Sequence, residues 1–209
     1  MASPRRIGAP DAKNRAVLLD ATERLMLEEG HAAVSSRRVA ERAGLKPQLV
    51  HYYFRTMDEL LLAVFRRLAE AGLDVQDKAL ASPQPLWELW RFSTDPTGAA
   101  LTIEFVALAH HRKALRAEIA RYAELFRSRQ VEALSDVLER YGLDGPDTLP
   151  PVVMMVLMTS VSRVLVMEEE MLGMSAGHAE TVEIVERYLR RLEGDPLPTG
   201  TMPEPPSSR

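Results

Sequence analysis

At 209 residues, 46% hydrophobic and 27% charged, the chain has the balance of an ordinary soluble protein of one large or two small domains. It has no cysteine, which excludes disulfides, zinc–thiolate sites and thiol catalysis and permits a reducing compartment. Net charge is −4, but residues 1–55 carry ten Lys/Arg against six Asp/Glu while the remainder carries 16 against 24. A basic head on an acidic body points to a polyanionic partner for the head alone, chance asymmetry being the plain alternative.

In chain order, residues 1–10 (MASPRRIGAP) have arginines but no apolar run behind them, so a secretory signal is not expected and the cytoplasm is the expected location. They read as a flexible basic arm whose Arg5 and Arg6 either enter a minor groove or are incidental charge on a terminus. From there the apolar residues recur with period 3.6, which predicts an all-α protein. A first helix spans about Asp11 to Glu29, with Val17, Leu18, Ala21 and Leu25 on one face and Gly30 as its stop. Ser35 or Ser36 caps a second helix that buries Val39, Ala40 and Ala43 and ends at Gly44. Pro47 opens a third helix only about two turns long, where its missing N–H costs nothing. Thr56 and Glu59 form a capping box for a long fourth helix, about 56–80, that connects the head to the body.

Pro83 and Pro85, then Asp95 and Pro96, bracket a short helix holding Trp87 and Trp90. Further helices are expected over about Thr97–His110, Lys113–Tyr141, Pro151–Leu172 and Ala176–Arg191. The apolar stretch from Pro150 to Met167 is interrupted by Thr159, Ser160, Ser162 and Arg163, and reads as too short and too polar to span a bilayer. From Gly194 the tail holds five prolines and no apolar period, so disorder is expected over 194–209.

The chemistry concentrates in residues 35–54. Spaced 100° apart, Gln48, His51 and Tyr52 share one face of the third helix, Val50 and Phe54 lie opposite, and Leu49 and Tyr53 flank them. So short a helix is stable only if its apolar face is pinned to a core, which leaves the polar face for something outside. A helix-turn-helix offered to the DNA major groove has that form. Gln48 suits adenine, Leu49 a thymine methyl, and His51 a base edge or a phosphate. Ser36, Arg37, Arg38, Lys46 and the hydroxyls of Tyr52 and Tyr53 suit phosphates. The alternative is a surface hairpin whose aromatics merely pack, with Leu49 or Tyr53 as core.

On these residues the head, about 13–65, resembles the TetR family of transcriptional regulators. The matching pieces are EEG (28–30), SSRRVAERAG (35–44), VHYYF (50–54) and TMDEL (56–60). The resemblance implies a homodimeric, repressor-like regulator whose C-terminal helical domain binds a small molecule. It also implies that Ser36, Arg37, Gln48, Leu49, His51, Tyr52 and Tyr53 face DNA. Three departures bear on the operator: His51 replaces a common tyrosine, Met57 a frequent lysine, and Pro47-Gln48 more typical small or basic residues.

In the body, Trp87, Trp90, Phe105, Tyr122, Phe126, Met154 and Met158 are candidates to line an apolar cavity, or are core. Gln130 extends the stripe of Tyr122 and Phe126 by a turn, and His110 is a candidate at a helix corner. Val153, Leu157, Val161, Val164, Val182, Val185 and Leu189 on the last two helices are candidates for a dimer surface built as a four-helix bundle. The histidines have no metal-ligand spacing, and neither cofactor nor catalysis is expected. Glu168-Glu169-Glu170 reads as a solvated face.

The expected organisation is therefore a helix-turn-helix domain at 11–55 and a helical effector-binding and dimerisation domain at 56–193. The expected function is that of a ligand-responsive regulator, released from a palindromic operator by a small, largely apolar effector. A DNA-binding regulator or architectural protein without an effector, and a helical enzyme, are the alternatives.

Overall fold

A computed structural model describes residues 13–143, 145 and 149–198. The regular elements among them are helices: α1 (Lys13–Glu29), a single 3-10 turn (His31–Ala33), α2 (Ser36–Arg42), α3 (Pro47–Tyr53), α4 (Met57–Leu80), α5 (Pro85–Ser93), α6 (Pro96–Ala109), α7 (Lys113–Arg140), α8 (Pro151–Leu172) and α9 (His178–Glu193). The all-α expectation holds. The arm with Arg5 and Arg6 lies outside the described residues, as does the tail from 199.

Local chemistry accounts for the helix ends. The Ser35 hydroxyl accepts from the Arg38 N–H and so caps α2. Gly44, at φ +64°, follows α2 in the left-handed conformation that a side chain strains, and the Leu45 N–H then reaches back to the Ala40 carbonyl at 2.9 Å. The capping box before α4 is present with a shift of one residue. The Glu59 N–H donates to Thr56 Oγ1, while the Glu59 carboxylate accepts from the Arg55 N–H.

The chain forms two compact units, and their boundaries differ from the expected 11–55 and 56–193. Among the described residues, one unit holds those up to Val75 together with Asp95–Gln130; the other holds Gln76–Thr94 and those from Val131. The divisions fall inside α4 and α7. At 24 and 28 residues these helices run about 36 and 42 Å, enough for each to serve two cores.

In the first unit Leu18, Leu25 and Met26 of α1, Val39 of α2, Val50 and Phe54 around α3 and Leu60 and Val64 of α4 form one core with Leu101 and Phe105 of α6. Charged ties cross the same elements. Arg67 of α4 holds Asp20 and Glu23 of α1, Arg112 holds Asp58, and Glu104 of α6 accepts from both the backbone N–H and the ring Nδ1 of His31, each at 2.6 Å. Arg66 of α4 meets Glu118 of α7 at 2.6 Å, and Arg121 meets the same carboxylate at 3.0 Å. Arg121 first, then Arg66, hold the Glu118 carboxyl down at about 2.

The second unit buries Leu86, Trp87, Leu89 and Trp90 of α5 against Leu134 and Val137 of α7, Met155 and Leu165 of α8 and Leu189 of α9. Glu193, at the end of α9, accepts from the free N–H groups of Leu86 and Trp87 at the start of α5 and from the Tyr141 hydroxyl at 2.8 Å. Burial, then that carboxylate, push the Tyr141 hydroxyl up to about 12.

Three expectations are corrected here. The tail is not disordered from Gly194. Gln84 donates to the Glu193 and Asp195 carbonyls and accepts from the Leu197 N–H, and the Trp87 indole donates to the Gly194 carbonyl. Buried polar groups of α5 need partners, and residues 193–197 supply them. Nor is the 150–167 stretch as short as it reads. α8 runs 22 residues with a mean hydropathy of 1.6 over its most apolar window, enough by length and composition to cross a membrane. The hydroxyls of Thr159 and Ser162 turn back to the carbonyls of Met155 and Met158, so they do not end the helix. Met155, Ser162, Leu165 and Val166 lie buried along it, in keeping with a helix that packs within its unit. Finally, Glu168 is not merely solvated: its carboxylate holds the buried His178 ring at 2.9 Å, while Glu169 is exposed.

Candidate nucleic-acid interface

The reading helix α3 is fixed from beneath. Val50 is buried within it, Phe54 is buried just after it, and the Phe54 N–H bonds to the Val50 carbonyl at 2.8 Å. On the opposite face Gln48, His51 and Tyr52 are exposed. Tyr53 is half-buried, packs on the head core and meets Tyr52 edge-on at 5.0 Å. Leu49 is also half-buried. The two flanking residues thus divide their surface between core and solvent.

The cations around α3 are of two kinds. Arg37 and Lys46 are exposed and make no ion pair among the described residues. Arg38 is held by Glu29, its Nη2 lying 2.7 and 2.6 Å from the two carboxylate oxygens. In the DNA-free protein Arg38 is thus engaged by a carboxylate, whereas Arg37 and Lys46 are engaged by none among the described residues. Arg42 is held likewise, by Glu28 and more loosely by Glu29 at 3.4 Å. Ser36 opens α2 half-buried, the cap being Ser35. Two further cations were not singled out in the sequence. Arg15 of α1 lies over the Phe54 ring at 5.2 Å, and Arg55 is exposed just after α3. Arg15 lies 39 positions before Phe54, so no local pattern links them.

The candidate ligand residues do not form one group. Phe105, His110, Tyr122, Phe126 and Gln130 belong to the first unit, and Trp87, Trp90, Met154 and Met158 to the second. Phe65 brings Phe105 and Tyr122 together, at ring distances of 5.3 and 5.6 Å, and Phe126 packs in the same cluster. Gln130 is buried. The Tyr122 hydroxyl donates to Glu70 at 3.1 Å. Trp87 and Trp90 are core, Met158 packs beside them, and Met154 is half-buried. His110 is exposed at the α6–α7 corner, edge-on to His111 at 4.6 Å. Adjacent side chains point about 100° apart, and helix ends meet water.

The candidate dimer residues also divide. Val153, Leu157 and Val164 of α8 are exposed, whereas Val161, Val182 and Val185 are partly buried against the core and Leu189 is fully within it. On α9 the exposed apolar residues are Ile184 and Tyr188 instead.

Residues 18–64, from within α1 to within α4, match the model for bacterial regulatory proteins of the tetR family. The chain is 30% identical over 129 residues to the HTH-type transcriptional regulator BetI of Rhizobium meliloti; the match covers 60% of this chain and 59% of that protein. Its fold is similar to that of a TetR-family transcriptional regulator from Rhodococcus sp., with a TM-score of 0.68 at 18% identity, over 87% of this chain and all of the other. It is also similar to the multidrug binding protein EbrR, solved in complex with imidazole, with a TM-score of 0.54 at 24% identity, over 91% of this chain and 99% of the other. A short polar helix pinned by Val50 and Phe54 thus lies inside a helix-turn-helix segment, residues 18–64, that is similar to the tetR family of bacterial regulatory proteins.

Proposed function

We propose that the protein is a DNA-binding transcriptional regulator that acts as a homodimer on a palindromic operator, represses, and is released by a small, largely apolar effector. The observation that carries the DNA-binding part is the polar face of α3. Gln48, His51 and Tyr52 stand exposed on a helix whose other side is anchored by Val50 and Phe54, with Arg37 and Lys46, which make no ion pair among the described residues, beside it. Gln48 reads a base edge; Arg37, Lys46 and the tyrosine hydroxyls hold the backbone.

The dimer rests on α8 and α9. Leu157 is 50% exposed and Ile184 63% exposed, and with Val153 and Val164 they leave apolar surface in water. A second copy of the same surface covers it, and two-fold symmetry then sets the reading helices about 34–36 Å apart, one turn of DNA. Release follows if the effector prefers a state in which that spacing is wrong, so effector and DNA weaken one another reciprocally. The effector part draws on the family and on the likeness to a multidrug binding protein. A regulator without an effector is the second reading, favoured by the core packing of Trp87, Phe105 and Tyr122.

Gel-shift titration with duplexes from around the protein's own gene tests the whole. Binding that a panel of apolar metabolites weakens supports the first reading, binding that none weakens supports the second, and failure to bind any duplex removes both.

A further inference from the structure

We propose that Glu29, seconded by Glu28, is a specificity-determining residue that withholds Arg38 and Arg42 from polyanions, leaving Arg37 as the cation of α2 with no carboxylate partner among the described residues. The inference rests on the DNA-binding reading above and names the residue that tunes it. Glu28 and Glu29 are the last two residues of α1. A carboxylate at a helix C-terminus meets the negative end of the helix dipole, so their position is not explained by the stability of α1. What they do instead is engage α2. Arg38 places one nitrogen between both oxygens of Glu29, Arg42 reaches Glu28 at 2.5 Å, and Glu29 also touches Arg42. Two carboxylates and two guanidiniums make a surface quartet of no net charge. Exposed pairs of this kind contribute little to stability.

Their effect is on the field. Non-specific affinity for nucleic acid grows with the number of phosphates neutralised, and each adds about 0.9 to the salt slope on duplex DNA. Base contacts carry no such dependence. Neutralising Arg38 and Arg42 within the protein lowers attraction to every sequence alike, so the Gln48 face accounts for more of the discrimination. Arg37, next to Arg38 but about 100° around the helix, escapes the quartet.

The test compares Glu29→Gln with Glu41→Gln, which removes the same charge from an exposed residue of α2 that pairs with no arginine among the described residues. Binding to a duplex lacking the operator is measured between about 50 and 200 mM salt. Glu29→Gln is expected to steepen the salt slope by about 0.9, so that its advantage over wild type changes about 3-fold across the range. Glu41→Gln is expected to leave the slope unchanged. Adding Arg38→Gln to Glu29→Gln is expected to restore the wild-type slope. Equal slopes for the two single variants, or no effect of adding Arg38→Gln, overturn the proposal. If the wild type binds no duplex at all, the regulator reading fails. Heparin retention then decides this inference alone: later elution of Glu29→Gln than of Glu41→Gln sustains it, and equal elution defeats it.

Discussion

α3 and α8 each leave a face uncovered, and the two faces have opposite chemistry. α3 is seven residues long and turns Gln48, His51 and Tyr52 outward beside the exposed cations Arg37 and Lys46. α8 is 22 residues long and turns Val152, Val153, Val156, Leu157 and Val164 outward. A hydrated polar face costs nothing to leave open, so α3 can wait for a partner that is itself hydrated and anionic. Apolar surface held in water costs about 25 cal/mol per Å², which favours covering α8 permanently. Both units carry ties between elements, as Arg67 with Asp20 in the first and His178 with Glu168 in the second, and both carry pairs within one helix, as Arg121 with Glu118 and Arg187 with Glu183.

The contrast breaks most severely if the support of α3 is removed. Phe54 is 3% exposed and lies in the head core. Phe54→Ala is expected to destabilise the head by about 3–5 kcal/mol, measured by denaturant unfolding, and to abolish duplex binding. Binding retained at full strength in a destabilised head would mean that α3 is held by something other than this anchor. On α8, Leu157→Asp is expected to weaken self-association by about 2 kcal/mol or more, because it places an unpaired charge in the centre of the proposed interface. Sedimentation at graded concentration reads this directly. A wild type that is monomeric at every concentration would send the apolar stripe to a different partner.

Gln48 sharpens the comparison from the other side. Gln48→Ala is expected to cost about 1–3 kcal/mol on the operator and to relax preference at one base position, since the side chain is exposed and no folding contact is lost. A uniform loss over all sequences would assign Gln48 to the backbone, and leave His51 or Leu49 as reader.

The helices of both regions were legible because their ends carry local chemistry: Ser35 before α2, Gly44 after it, Pro47 opening α3 and Thr56-Glu59 before α4. The faces of α3 followed from 100° spacing alone. The unit boundaries did not, since the apolar period runs unbroken through α4 and α7 where Val75 meets Gln76 and Gln130 meets Val131. Nor did the pairing of Arg38 by Glu29, or the capping of α5 by Glu193. These join residues 9 and more than 100 positions apart, and single-chain patterning carries no sign of them. A paired and an unpaired arginine look the same in sequence, so nothing in residues 35–54 separates Arg38 from Arg37.

The smallest expected effect concerns the ties themselves. Hydrogen bonds from Arg121 and Arg66 hold the Glu118 carboxyl down from 4.5 to about 2. A carboxyl with a depressed folded-state pKa adds stability that is complete above its unfolded value. That stability is lost as pH falls from about 4.5 through about 2. Both arginines are more than half exposed, so solvent screening limits the effect to about 1 kcal/mol or less. Glu118→Gln should therefore lower stability slightly at pH 7 and distinctly less at pH 2, where the folded carboxyl is about half protonated. Unfolding followed at both pH values checks this, and an equal loss at both would make Glu118 a packing residue. Because Glu118 joins α4 to α7 within the first unit, its acid sensitivity should appear in probes of that unit, such as Tyr122. It should be absent from the tryptophans, which both lie in the second unit. Acid acting through Glu118 would then be felt at the α4–α7 tie of the first unit and not at the tryptophan core of the second.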